Sequence, residues 1–243
     1  MKFDYSNPYP STRIPVFARN VVATSHPLAA QAGLRMLQHG GNAVDAAIAT
    51  AAVMTLVEPT GNGLGSDAFC ILWDGHKLHG LNGSGCAPQA WTPDYFRSRY
   101  GADARTPPQR GMDSVTVPGA VGSWVALSER FGKLPFADLM APAIETAERG
   151  YLIPPVVQGK WAAATPLLRS QPGFARAFLP WGRAPEVGEL FRFAAAARAF
   201  KAIAATRGEA FYRGEIAAAI ERFSTANGGS LKASDLADWQ PEW

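Results

Sequence analysis

The chain has 243 residues, 47% hydrophobic and 18% charged, an ordinary balance for a globular protein able to bury a core. Its net charge of +3 is spread along the sequence without a run of Lys or Arg, which argues against nucleic acid or an acidic membrane as partner. Two cysteines, Cys70 and Cys86, are too few for a disulfide framework and lack zinc spacing, so neither metal nor cofactor is expected.

Residues 1–20 read as an extended arm, because Pro8, Pro10 and Pro15 oppose helix and paired strand alike. The arm contains acid and no apolar core segment, so it fails as a secretory signal and the protein is expected in the cytoplasm. Val16–Thr24 (VFARNVVAT) predicts a strand. A first helix is expected with Ser25 as N-cap and Pro27 in the first turn, stopping at Gly40-Gly41. The second runs from about Ala43 to Glu58, ahead of Pro59. Nearly every residue in it is apolar, and a helix apolar on all sides must be buried on all sides. It is too short for a membrane span and carries Asp45.

Thr60–Asp67 (TGNGLGSD) cannot hold a regular element, since Gly61, Gly63 and Gly65 favour irregular backbone and the close approach of another group. Ala68–Trp73, the turn dipeptide Asp74-Gly75 and Lys77–Gly83 then predict a central hairpin. Trp91-Thr92-Pro93 turns into a short polar helix, and Ser114–Val117 is a strand candidate ending at Pro118. Helices are expected over Gly119–Phe131 and Phe136–Arg149, the latter with Leu139, Ala143 and Ala147 on one face. Six prolines between Tyr151 and Glu186 predict an irregular segment outside the central layers, with short helices such as Val156–Ala164. Order returns with Val187–Ala205, with Gly214–Ala226 (Ile216, Ile220 and Phe223 on one face) and with a last helix capped by Ser234.

Several constellations invite chemistry. The three glycines resemble a phosphate cradle, but their loop follows a helix and opens a strand, the reverse of a dinucleotide fingerprint. Ser66-Asp67 lacks the strand-to-helix elbow of a serine hydrolase. The histidines at 26, 39, 76 and 79 sit at helix ends and along the hairpin, where solvated or capping roles are the simple account. Cys86 with His79 is a thiol-hydrolase pairing on paper, against the plainer account of a small residue in a turn. Asn82-Gly83-Ser84-Gly85-Cys86 brings an Asn amide, a Ser hydroxyl and glycine amides together, which suits carboxylate or amide recognition; a mere turn stands as the alternative. Asn82, Ser84 and Cys86 are the candidate substrate-binding residues.

Ala23–Pro88 resembles the N-terminal part of the gamma-glutamyltransferase family, through ATSHPLAAQAG, GGNAVDAAIA, EPTGNGLGSDAF and the Ala87-Pro88 after the hairpin. SVTVPGAVG (114–122), APAIETAERGY (141–151), AFYRG (210–214) and NGGSLKASDLADW (227–239) follow in the family's order. The resemblance implies an α+β fold, part of the four-layer αββα sandwich of N-terminal-nucleophile hydrolases. On this reading residues 1–243 are a single domain, incomplete without the small subunit of the same precursor. It also implies autoproteolysis that frees a threonine beyond Trp243, so that no catalytic residue lies in this chain.

Family members that bind glutathione carry an Arg in an Arg-Glu-x-Ala-Pro motif, and counting back from Ala87-Pro88 places Ser84 there. The opening residues, GSDAF and LHGLNGSG look most like the oxamate amidohydrolase branch, in which an Arg is expected where this chain has Cys86. The expected function is therefore hydrolysis or acyl transfer on a small amide, oxamate-like or a gamma-glutamyl compound such as glutathione, by a chain inactive alone. The rival is a non-catalytic remnant or a protein that binds a small acid.

Overall fold

The computed structural model describes residues 16–103 and 105–243. All but the last five residues of the arm expected over 1–20 lie outside them. The fold is α+β: helices gather around one antiparallel hairpin and one short two-stranded ribbon. Among the described residues no helix is long and apolar enough to cross a membrane.

The first helix, α1 (Pro27–Gln38), is capped by His26 and not by Ser25. His26 has extended backbone, and its Nδ1 accepts from Leu28 N–H at 3.2 Å, so an imidazole does the work expected of a serine hydroxyl. Next comes α2 (Ala43–Val57), with Glu58 as C-cap. The two helices cross closely enough that a Cβ on Gly33 would lie 2.3 Å from Thr50 Oγ1 and 3.0 Å from the Ala46 carbonyl oxygen.

The start of α2 is a polar knot. Asn42 Oδ1 accepts from Val44 and Asp45 N–H at 2.9 and 3.1 Å, and Asp45 Oδ2 accepts in return from Asn42 N–H at 2.8 Å. Asp45 is fully buried, and its Oδ1 also accepts from Lys133 and Leu134 N–H at 3.0 and 3.3 Å. Those amides follow α4 (Ala120–Phe131), whose last carbonyl accepts from Asn42 Nδ2 at 2.6 Å. One carboxylate thus joins the beginning of one core helix to the end of another.

The hairpin pairs β1 (Ala68–Trp73) with β2 (Leu78–Gly83) from Ala68↔Gly83 to Trp73↔Leu78. Asp74 closes its turn by accepting from His76 and Lys77 N–H at 2.8 and 2.7 Å. The polar helix α3 (Pro93–Tyr100) starts at its Thr92 cap. Helix α5 (Phe136–Arg149) buries Leu139, Ala143 and Ala147 as its spacing requires, and packs on α8 (Ala194–Thr206).

Several expectations are corrected. Val16–Thr24 forms no strand; Val16, Phe17 and Val21 lie exposed beside no partner strand among the described residues. Ser114–Val117 is extended without a ladder, because a short 3₁₀ turn over Met112–Ser114 takes up its first residue. Residues 151–186 are more ordered than six prolines suggest. Pro155 occupies the first turn of α6 (Pro155–Leu168), where a missing amide costs nothing. Between β3 (Tyr151–Leu152) and β4 (Leu190–Phe191), Trp161 is buried against Phe191, with ring centroids 5.0 Å apart. Tyr151 donates to the Leu56 carbonyl at 2.6 Å, closing the end of α2, and burial pushes its phenol pKa up.

The short α7 (Phe174–Phe178) and α9 (Glu209–Tyr212) flank α8 in sequence. In α10 (Glu215–Ala226) Ala217 and Ser224 are buried while Phe223 is exposed, so the buried face is rotated from the one expected. The last helix, α11 (Ala233–Asp238), is capped by the Asp235 carboxylate, which accepts from Lys232 N–H at 2.8 Å, and not by Ser234.

Candidate functional site

The loop after β2 is held by three separate segments. Gly85 N–H donates to Asp67 Oδ1 at 3.0 Å, and Val117 N–H donates to the Cys86 carbonyl at 3.0 Å. Trp239 Nε1–H donates to the Ser84 carbonyl at 3.1 Å. Asn82 and Glu242 exchange backbone hydrogen bonds of 2.8 and 2.9 Å, so residue 242 lies beside β2 as a strand would. The glycines serve backbone-on-backbone contact: a Cβ on Gly119 would stand 1.8 Å from the Gly83 carbonyl oxygen.

Asn82, Ser84 and Cys86 therefore come together. They line a pocket of about 310 Å³ whose far wall is Asp238, Trp239, Gln240 and Glu242. Two of the loop's amides are already engaged, however. Asn82 Oδ1 accepts from Ser84 N–H at 3.0 Å and from Ser84 Oγ–H at 2.8 Å, and Gly85 N–H is committed to Asp67. Two carboxylates and no Lys or Arg stand among the described lining residues, so the pocket offers a substrate carboxylate repulsion where the glutathione motif offers a guanidinium.

A larger groove, about 520 Å³, adjoins this loop through Asp67. Its floor is a stripe of α2 (Ala43, Ala47, Ala51 and Met54), and its sides are residues 21–24, the glycine loop and Trp124 of α4. Ala43 and Ala47 are exposed, so the helix that reads as buried on every side is open along one. Gly61 and Gly65 have open space where a Cβ would stand, so nothing within the described chain calls for glycine at these two positions.

The remaining candidates are placed elsewhere. His26 and His39 cap the two ends of α1, and His76 lies in the hairpin turn. His79 Nε2 pairs with Asp74 Oδ2 at 2.7 Å, at the turn end of β2, whereas Cys86 follows its other end. No thiol–imidazole pair is assembled. Asp67 binds Gly85 N–H and no histidine, and the glycine loop opens β1, so neither a serine triad nor a phosphate-binding helix start is built.

Three residues that shape the site escaped the sequence reading as participants: Asp67, Trp239 and Tyr212. Tyr212 donates to the Pro118 carbonyl at 2.8 Å, accepts from Gly122 N–H at 2.9 Å and stacks on Trp239 at 5.5 Å. Burial raises its phenol pKa, so it stays neutral in that role. Asp67 and Trp239 act through backbone contacts that leave no periodic signal; a lone acid beside glycines was the only hint for Asp67.

A profile of the gamma-glutamyltranspeptidase family matches residues 29–243. Among curated proteins, an acylase ACY 1 proenzyme of Pseudomonas sp. (strain V22) is 34% identical over 233 residues, covering 93% of this chain and 42% of the relative. The oxamate amidohydrolase proenzyme of Klebsiella pneumoniae is 34% identical over 231 residues, covering 91% and 42%. Among solved structures, a cephalosporin acylase from Bacillus halodurans superposes with a TM-score of 0.94 at 48% identity, over all of this chain and 46% of that one. The chain thus spans about 42% of the length of these curated relatives.

Proposed function

The chain belongs to the gamma-glutamyltranspeptidase family, and on that premise we propose that it is the large-subunit portion of a cytoplasmic amide hydrolase or transferase. Residues 1–243 form one incomplete domain, completed by the small subunit of the same precursor. The attacking threonine comes from that subunit: its hydroxyl adds to the amide carbonyl, its own α-amine takes the proton and passes it to the nitrogen that departs as the C–N bond breaks, and water or an amine resolves the acyl-enzyme.

The observation that carries this reading is the unfinished apolar surface. Phe69, Ile71 and Trp73 alternate along β1 with exposures of 70%, 82% and 62%, on the face turned away from the helices. The open stripe of α2 lines a groove together with Ala68, the first residue of the same strand. Exposed apolar surface of this kind marks a site that another segment covers.

The substrate is a small amide, with oxamate-like compounds favoured over gamma-glutamyl compounds such as glutathione. Ser84 in place of an Arg forfeits a bidentate charge-assisted contact to the α-carboxylate of a gamma-glutamyl compound. Loss of that contact costs a gamma-glutamyl substrate roughly ten- to a hundredfold in kcat/KM.

Co-expression of residues 1–243 with the downstream part of the precursor tests both parts. The chain alone should show no turnover, and the complemented pair should hydrolyse the small amide. Ser84→Arg should shift the complemented enzyme toward glutathione. Turnover by the chain alone that Cys86→Ala abolishes would replace this reading with a thiol hydrolase. An assembled pair with no amidase activity would favour the non-catalytic rival.

A further inference from the structure

A cavity of about 290 Å³ lies where the first turns of α1 and α6 meet the end of α2, away from the Asn82–Cys86 loop. His26, Pro27, Glu58, Pro155, Val156 and Lys160 are among its lining residues. First-turn amides have no intrahelical acceptor, and a helix start carries partial positive charge. Here the starts of a 12-residue and a 14-residue helix line one cavity.

His26 supplies the second, independent observation. The side chain is 4% exposed, and its Nδ1 is occupied as acceptor by Leu28 N–H. A neutral imidazole that accepts at Nδ1 carries its proton on Nε2. That Nε2–H is buried and has no partner among the described residues. Burial lowers the imidazole pKa against the opposing pull of Glu58, which keeps the ring in the neutral form that the cap requires. A buried donor without an acceptor is rare in native proteins and calls for an explanation.

We propose that this cavity binds a small α-amino acid, with its carboxylate on His26 Nε2–H and the first-turn amides of α6, and its ammonium on Glu58. A simple anion meets the Glu58 carboxylate, and a simple cation meets two helix starts and Lys160. A zwitterion answers both ends of the cavity. Pro27, Pro155 and Val156 leave an apolar wall for a short side chain.

Glycine is the probe, with acetate and methylamine as its two halves, titrated against the protein while the His26 ring nitrogens are followed by NMR. Saturable movement of the Nε2 resonance is expected with glycine, and each half should bind at least about tenfold more weakly. His26→Asn keeps an oxygen able to cap Leu28 N–H but removes the Nε2 donor, and should weaken glycine about tenfold. Glu58→Gln should reduce glycine to the level of acetate. No movement at tens of millimolar glycine would overturn the proposal. So would acetate binding as tightly as glycine to the unmodified protein, or glycine binding unchanged by Glu58→Gln.

Discussion

The start of α2 and the hairpin that follows its end are finished to different degrees. At Asn42–Asp45 the buried carboxylate accepts three backbone amides from two segments, and Val44, Ala46 and Ile48 beside it are buried. Along β1 the inner residues Ala68, Cys70 and Leu72 pack on the core, whereas Phe69, Ile71 and Trp73 stand in solvent. Both regions come from apolar sequence. The difference teaches that apolar content says only that a surface is to be covered, and the structure says by what. The Asn42–Asp45 knot is closed by this chain. The outer face of the hairpin is covered by nothing among the described residues.

The largest effect is expected in the finished region. Asp45→Ala leaves the amides of Asn42, Lys133 and Leu134 without their acceptor, at a cost of about 4 kcal/mol. Urea unfolding should show a midpoint lowered accordingly. A loss under about 1 kcal/mol would mean that the two helix ends hold each other by packing alone.

Ile71→Asp probes the unfinished region and should behave in the opposite way. At 82% exposure the residue contributes little to the isolated chain, whose stability should stay within about 0.5 kcal/mol. Its association with the downstream segment of the precursor should weaken roughly a hundredfold, because a charge would be buried in an apolar contact. Unchanged association, measured by titration, would remove this face from the proposed subunit contact.

The finished region was the legible one. The glycine pair after α1, the proline after α2 and the 3.6-residue spacing of α5 are local signals, and they placed those helices to within a residue or two. The Asp74-Gly75 turn did the same for the hairpin. What stayed hidden depends on distant residues. Asp45 looked like a stray charge until residues 133 and 134 arrived to use it. Val16–Thr24 has strand composition, yet composition cannot supply a partner, and none lies beside it among the described residues. In the candidate site, the three residues that sequence grouped, Asn82, Ser84 and Cys86, line one pocket. It could not show that the Gly85 and Ser84 amides are already engaged by Asp67 and Asn82.

Tyr212→Phe sharpens the comparison at the seam between the two regions. The phenol bridges Pro118 and Gly122 at the start of α4 while its ring supports Trp239, which holds Ser84. Removing one hydroxyl leaves a buried amide and a carbonyl short of a partner, a cost of about 1–2 kcal/mol. The amide of Gly122 should lose protection against hydrogen exchange along with the Ser84 loop. A change in stability that left this loop's exchange untouched would separate Tyr212 from the candidate site.

The smallest effect belongs to Asp74, which does in the hairpin turn what Asp45 does in the core. Both carboxylates accept backbone amides, but Asp74 lies in an exposed turn. The Lys77 amide first, then His79 and the His76 amide, hold its pKa well below the usual carboxylate range. A carboxylate depressed in the folded state contributes its stability above the unfolded pKa of about 3.9 and loses it as pH falls through the folded value. The His76 and Lys77 amides should therefore keep their protection against hydrogen exchange at every pH above about 4, and lose it only below. Asp74→Ala should release both amides to exchange while leaving overall stability nearly unchanged, because every partner of the carboxylate lies within the hairpin itself. If Asp74→Ala cost as much as Asp45→Ala, the hairpin would be as integral to the folded core as α2, and the division between a finished and an unfinished region would have to be abandoned.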